Sequence, residues 1–217
     1  MSDLFEDLKY TVIPGDAFKE LFGFFIFYKL ANEIELEKNR YPLGDGLNEI
    51  ELTQRHGFVD GGISFNHQLD LFKGLFYHRE VYKFIREVEI PDDANVFIDD
   101  GSFRTNKIFL KEKKPFGDSE LWNDIEFCQA ALKINYKYLQ FIKNPSHDLL
   151  KWLVARKPEA IKMIENPSEE IIETLIRETP YYIRHVPNPK VHHYLIAFEK
   201  SPYTIKYLNI PEDILSE

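Results

Sequence analysis

Cysteine occurs once in the 217 residues, at Cys128. A single thiol at an apolar position of a helical pattern reads as a buried side chain rather than a nucleophile, and it fits an intracellular setting. Long apolar runs are missing as well. The longest candidate, Leu21 to Leu30, is broken by Gly23 and Lys29 and falls far short of the roughly 18 residues a membrane span needs. A cationic, apolar leader is not expected at the start of the chain. The net charge is −9, carried almost wholly by the first half: residues 1–122 hold 15 Lys and Arg against 23 Asp and Glu, residues 123–217 hold 12 against 13. No sustained basic face arises, so nucleic acid is not an expected partner. The nearest cluster, Lys107, Lys111, Lys113 and Lys114, reads as a solvated strand end. No Ser-His-Asp ordering and no phosphate-cradling glycine loop can be assigned. The pairs Asp92-Asp93 and Asp99-Asp100 sit in turn contexts, where carboxylates bond the backbone. His56, His67 and His78 are spaced too widely for ordinary zinc ligation, and His192 and His193, as helix neighbours, are expected to point to different sides. Neither a metal nor a cofactor is implied.

What is abundant is apolar and aromatic side chain, 44% and 15% of the chain, enough for a sizeable core. In the last third it is arranged periodically. Pro145, Pro167, Pro189 and Pro211 recur every 22 residues, the first three preceded by Asn, and Pro158, Pro180 and Pro202 stand 13 residues into each unit. Such a fixed step marks an internal repeat. The Asn-Pro pair predicts a helix start, with Asn as the cap and Pro at the first helical position, and Asn166 with Glu169 has the spacing of a capping box. The inner proline ends that helix and opens a second, shorter one. Apolar columns follow the same step: Cys128, Leu150, Ile172, Tyr194; Leu132, Val154, Ile176, Phe198; Leu139, Ile161, Ile183, Ile205; Ile142, Ile164, Val186, Leu208. A worn first unit, with Tyr136 at the inner proline position, makes four. Helix pairs of this length share a core only by stacking. The expected fold class is α+β: a mixed α/β head over residues 1–116, a junction near Pro115 to Glu120, and over 121–217 an α-solenoid of four helix-pair repeats of about 22 residues.

Within the head, Ser2 or Asp3 is expected to cap a first helix and Asp16 a second one running through Phe22. Phe24 to Leu30, Gly61 to Phe65, Phe84 to Ile90, Val96 to Ile98 and Lys107 to Leu110 read as strands. Residues 32–60, polar and carrying three glycines, read as long loops, and Leu69, Phe72, Leu75 and Phe76 as one face of a helix. The two glycines at 61 and 62 suggest close approach of a backbone or a ligand.

The series Phe27-Tyr28-Lys29-Leu30-Ala31-Asn32-Glu33, Gly46-Leu47-Asn48, Gly61-Gly62-Ile63-Ser64-Phe65, Ile85 through Ala94 and Lys107-Ile108-Phe109-Leu110 resembles an N-terminal domain of large-DNA-virus and large-phage proteins. In those proteins the domain often precedes ankyrin or other helical repeats, and the Asn166-Pro167-Ser168-Glu169-Glu170 phrase is similar to short repeats of the same genomes. The resemblance implies viral origin and architecture, and a place in the host cytoplasm or the virion, but no chemistry. A looser resemblance is to ADP-ribosyltransferase-like folds. Ser64 stands where those folds carry a tyrosine, and no glutamate on a later strand replaces their catalytic one.

Two functional expectations follow. The first is a non-enzymatic interaction protein that binds a host or viral protein, or a copy of itself, through Trp152, Tyr181, His185, Tyr203 and Tyr207 of the repeats. The alternative is a head that binds or modifies a small nucleotide, with Lys29, Asn32, Ser64 and Arg86 lining the pocket. Arg86 shares a strand face with Phe84, Val88 and Ile90, so its guanidinium needs an anion. A carboxylate anchor is the favoured reading there and a ligand contact the other.

Overall fold

The computed structural model describes residues 7–35, 42–55, 58–72, 81–100 and 102–207. The chain divides into two compact units, residues 1–130 and 131–217. The boundary falls ten residues or so beyond the Pro115 to Glu120 junction that composition suggests. Among the described residues no helix is long and apolar enough to cross a membrane.

The first unit is built on antiparallel strands: β1 (Val12–Pro14), β2 (Phe27–Ala31), β3 (Gly46–Glu49), β4 (Leu52–Arg55), β5 (Phe58–Gly61), β6 (Ile63–His67), β7 (Phe84–Glu89), β8 (Asn95–Ile98), β9 (Phe103–Thr105), β10 (Lys107–Leu110) and β11 (Lys114–Pro115). Nine of them form one sheet in the order β1-β8-β9-β6-β2-β7-β10-β3, with β11 pairing β7 beside β10, and β4 and β5 make a separate hairpin. Helix α1 (Gly15–Phe22) enters directly from β1. Gly15 is needed at that corner because a Cβ there would lie 1.9 Å from the Pro91 carbonyl oxygen.

The core on this side is aromatic. Phe18 and Phe22, one helical turn apart on α1, meet Phe27, Phe65 and Phe103 from β2, β6 and β9, with ring centroids 5.1 to 6.2 Å apart. Those three strands are neighbours in the sheet, and Phe65 and Phe103 are direct register partners. All five rings are buried, each contributing on the order of 2 kcal/mol from lost apolar surface. A second aromatic group joins Phe72, Phe116, Trp122 and Phe127, with the Trp122 indole N–H donating to the Phe116 carbonyl at 2.7 Å.

Several expectations change here. The stretch 32–60 holds β3, β4 and part of β5 rather than loops alone. Its strands are four residues long and polar, so neither length nor alternation betrays them. The strand predicted from Phe24 starts at Phe27, and Phe24 and Ile26 are exposed. Strands β1, β9 and β11 have no counterpart among the expected strands. Of the stretch from Leu69 to Phe76 the described part opens on a 3-10 turn at Gln68–Asp70; Leu75 and Phe76, like Ser2, Asp3, His56 and His78, lie outside the described residues.

From residue 125 onward, α-helices alternate with 3-10 helices: α2 (Ile125–Ile134) and Tyr136–Phe141; α3 (His147–Arg156) and Pro158–Met163; α4 (Glu169–Glu178) and Pro180–His185; α5 (Val191–Lys200) and Pro202–Tyr207. Helices α3 and α4 pack together, as do α4 and α5, and each 3-10 helix touches the next. The inner prolines stand at the first position of their 3-10 helices, as expected. The Asn-Pro pairs do something else. Asn144 and Asn188 take the left-handed conformation, with φ of 52° and 48°, which a short polar side chain tolerates. The caps are Ser146 and Ser168, whose hydroxyls accept from Leu149 N–H at 3.2 Å and Ile171 N–H at 3.3 Å. The helix therefore starts two residues later than Asn-Pro predicts, and the capping box at Asn166 is not formed.

The columns read from the sequence point inward. Cys128, Ile172 and Tyr194 are buried, as are Leu132, Val154 and Ile176, and Leu139, Ile161 and Ile183. Leu150, Phe198, Ile142 and Ile164 are half-buried, and Val186 is buried; Leu208 and the Ile205 side chain lie outside the described residues. Two further buried columns appear, Ala131-Leu153-Leu175-Ala197 and Phe127-Leu149-Ile171-His193. The last is apolar until it ends in a histidine.

Candidate functional site

The antiparallel register of β2 on β7 divides the candidate head residues between two faces. Lys29 lies opposite Arg86, on the core side with Phe27 and Val88; Tyr28 lies opposite Glu87, on the other side.

On the core side Arg86 is 2% exposed. Its Nε donates to Glu35 at 2.8 Å, and one terminal nitrogen donates to Asp45 and to the Lys111 carbonyl at 2.6 Å. Lys113 adds a cation 3.8 Å from the Glu35 carboxylate. The anion that the sequence demands for Arg86 is thus supplied from within, as the carboxylate anchor, rather than by a ligand. Lys29 and Ser64 do come together: the ammonium donates to the Ser64 carbonyl at 3.1 Å and lies 3.5 Å from its hydroxyl. Asn32 is tied elsewhere, accepting from Lys83 N–H at 3.2 Å. The close approach at Gly61 and Gly62 is to the chain itself. Both have positive φ, and a Cβ on Gly61 would lie 2.2 Å from the Glu51 carbonyl oxygen.

The opposite face of β2 and β7 floors a cleft of about 550 Å³. Tyr28, Ile85 and Glu87 come from the sheet, and Lys114, Asp118, Glu120, Leu121 and Asp124 form the walls. Burial, then the charges of Glu87 and Glu120, hold the Tyr28 phenol above its usual range. Four carboxylates face one ammonium, and Lys114 and Lys111 already approach Glu87, at 3.8 and 3.1 Å. Phosphate groups would meet repulsion here, so this cavity has the wrong sign for a nucleotide. None of its lining residues is among the site residues expected from the sequence.

In the second unit the polar chemistry gathers where helix N-termini meet. Glu169, first in α4, bonds Lys190 Nζ at 3.0 Å, contacts His192 Nε2, and lies 2.8 Å from His193 Nε2. The Lys190 bond is the largest cause of a Glu169 carboxyl held down to about 2. His192 and His193, expected to diverge, have ring centroids 4.2 Å apart and converge on the same carboxylate. Their nitrogens and the Glu169 oxygen lie within 4.8 Å of one another, close enough to suggest a metal. The tautomer argues otherwise. His193 Nδ1 accepts from the Lys190 backbone N–H at 3.0 Å, so its ring proton resides on Nε2, the atom a metal would need bare. Metal-bound histidines show the reverse arrangement, with the far nitrogen donating. Lys190 then places an ammonium where a cation would have to sit. The cluster fits a clasp between α4 and α5. A similar link joins α3 to α4, with His147 Nε2 2.8 Å from the Ser168 hydroxyl and Lys151 on Glu170.

The aromatic candidates of this unit fall on different surfaces. Trp152 is half-buried on α3 under the Arg156 guanidinium, 4.9 Å from the ring centre. Tyr181 and Tyr203 are exposed, 44% and 75%, at the same position of successive 3-10 helices. Arg184 lies 5.7 Å from the Tyr181 ring centre. His185 is half-buried beside Tyr182, its Nε2 accepting from Arg184 at 3.2 Å. Burial, then the nearby Lys162 and Arg184 charges, hold it below the usual imidazole value. The Tyr207 side chain lies outside the described residues. Cys128 is buried, donates to the Trp122 carbonyl at 3.2 Å, and is pushed up to about 11 by burial and Asp124. No thiolate nucleophile is available there.

No protein family, curated protein or solved structure matches this chain.

Proposed function

We propose that this is a binding protein without catalytic chemistry of its own, in which the helical pairs from residue 125 onward stack as a short α-solenoid and dock a partner protein on their 3-10 side. The carrying observation is the repeat of environments: positions one step apart are buried together, while Tyr181 and Tyr203, also one step apart, are exposed together. A packed column needs no partner to explain it. A column of solvated tyrosines does not contribute to the core, and large rigid rings of this kind anchor interfaces at small entropic cost. On the resemblance drawn from the sequence, the partner is a host or viral protein, with a second copy of the chain as the other form of the same activity. The filled environment of Arg86 and the acidic cleft give the nucleotide reading no comparable support.

The test is affinity capture with the full chain, comparing the wild type with Tyr181→Ala/Tyr203→Ala and with Lys29→Ala in the head. The tyrosine pair should lose the partner and the head variant keep it, with light scattering reading self-association in parallel. Equal capture and equal oligomeric state for wild type and tyrosine pair would remove the proposal.

A further inference from the structure

The 3-10 helices differ from the α-helices beside them in charge as well as shape. Their four segments contain Lys137, Lys162, Arg184 and Lys206 against one carboxylate, Glu159, in a chain of net charge −9. The α-helical segments carry seven carboxylates against five cations. A 3-10 helix places residues three apart on one face, so the second and fifth positions of each six-residue segment lie together. These are Lys137 and Gln140, Glu159 and Lys162, Tyr181 and Arg184, then Tyr203. All are exposed except Glu159, which is half-buried and accepts from the Tyr182 hydroxyl at 2.7 Å. The third and fourth positions, Tyr138 and Leu139, Ala160 and Ile161, Tyr182 and Ile183, are buried.

Among the described residues both sides hold cations without a paired carboxylate, Lys133, Arg156 and Lys200 on the α-helical side included, and what sets the 3-10 side apart is that none of its described cations is paired. Lys151, Arg177 and Lys190 on the α-helical side each meet a carboxylate. Among the described residues, neither Lys162 nor Arg184 does. Arg184 instead stacks on Tyr181 and donates to the His185 ring, an arrangement that leaves its remaining donors for an outside acceptor. The ladder thus sets exposed rings beside exposed cations, Arg184 without a paired carboxylate and Lys162 acting on Glu159 of its own face.

Resting on the interaction reading above, we propose that this ladder binds an acidic peptide segment of the partner protein, its Asp or Glu carboxylates on Lys162 and Arg184 and its side-chain stems against Tyr181 and Tyr203. Guanidinium suits a carboxylate because its donors match the two oxygens. A long polyphosphate is disfavoured, since Glu159 interrupts the ladder and each step offers about one cation where every nucleotide brings a charge.

The test uses the purified full chain and three fluorescent probes: a peptide alternating Glu and Ser, its Lys-for-Glu counterpart, and a thymidine oligonucleotide. The acidic peptide should bind, and weaken about tenfold or more when salt rises from about 50 to about 300 mM. Arg184→Glu/Lys162→Glu should abolish binding while Lys133→Glu, on the α-helical side, leaves it unchanged; melting curves establish that the variants are folded, and Arg184→Gln should give an intermediate loss. In the wild type, the His185 imidazole should titrate at higher pH with peptide bound than without, because a carboxylate arriving beside it favours the protonated ring. Absence of acidic-peptide binding, binding indifferent to Arg184, or tighter binding of the oligonucleotide overturns the inference. So does a dimer in sedimentation that Arg184→Glu/Lys162→Glu dissolves, which would assign the ladder to a second copy. If the tyrosine pair loses its partner although acidic peptides fail, the interaction reading stands and this inference alone falls.

Discussion

Arg86 illustrates how a single buried charge constrains the head. It sits on a strand face otherwise apolar, with Glu35 6% exposed against it, and one oxygen of Glu35 is buried with no hydrogen-bond partner. Removing the guanidinium would leave that carboxylate only the more distant Lys113 ammonium at 3.8 Å, a loss of about 3 kcal/mol, whereas replacing both charges with apolar groups is often close to neutral. Arg86→Met should therefore lower the urea midpoint sharply, and Arg86→Met/Glu35→Met should recover most of the loss. Equal midpoints for the two would show that the pair is not coupled. That an arginine at this position needs an anion is legible in the sequence. That the anion is Glu35, 51 residues away, is not, because a pairing across that separation leaves no local signal. Cys128 allows a second check at this scale. With its thiol pushed up to about 11, it should resist iodoacetamide at about pH 8 in the folded protein and react once denaturant exposes it, since the thiolate is the reactive form. Rapid alkylation without denaturant would contradict the buried position.

At the scale of the element, the fourth unit departs from its neighbours at two positions. Where Ser146 pairs with Leu149 and Ser168 with Ile171, it has Lys190 and His193. The lost serine cap is replaced by the histidine ring, which accepts the Lys190 N–H and is fully buried in a column of apolar side chains. Burial holds His193 below its usual 6.5. The unfolded chain then takes up a proton first as pH falls, so the stability tied to the neutral ring is present above about 6.5 and declines as pH drops toward the folded value. Lys190→Ser/His193→Leu restores the pattern of the other units. It should raise stability by about 1 kcal/mol at neutral pH, the usual worth of a serine cap, and flatten the loss between about pH 7 and pH 5, as read by thermal unfolding across pH. Unchanged pH dependence would place its origin elsewhere. The alternation of α-helix and 3-10 helix is legible because proline at the 3-10 start and the apolar columns are both written in the sequence. The true cap was passed over because Asn-Pro is a stronger written signal than the serine after it, and only the positive φ of Asn144 and Asn188 reveals that asparagine turns the chain and serine caps it.

For the whole molecule, two contact-dense units with separate aromatic and aliphatic cores predict that damage stays local. The sequence changes in charge near residue 122, a few residues before the boundary at residue 130, and carries its repeated prolines beyond it. It gave no hint of the Tyr28 and Glu87 cleft, because cross-strand register between β2 and β7, 59 residues apart, is set by the whole sheet rather than by either strand's own pattern. Register also explains why the residues picked for a head ligand, Lys29 and Arg86, proved to share the core side instead of the open one. If the helical pairs stack as proposed above, each unit depends on its immediate neighbours and stability is close to a sum of unit and interface contributions. Leu175→Ala tests this, since Leu175 is fully buried on α4 between α3 and α5 and its truncation should cost about 2 to 5 kcal/mol. Hydrogen exchange should accelerate in α4 most, in α3 and α5 next, and leave the β2 and β7 amides as protected as in the wild type. A uniform rise across both units would mean that the chain unfolds as one cooperative body, and the stacking of semi-independent helical pairs would have to be given up.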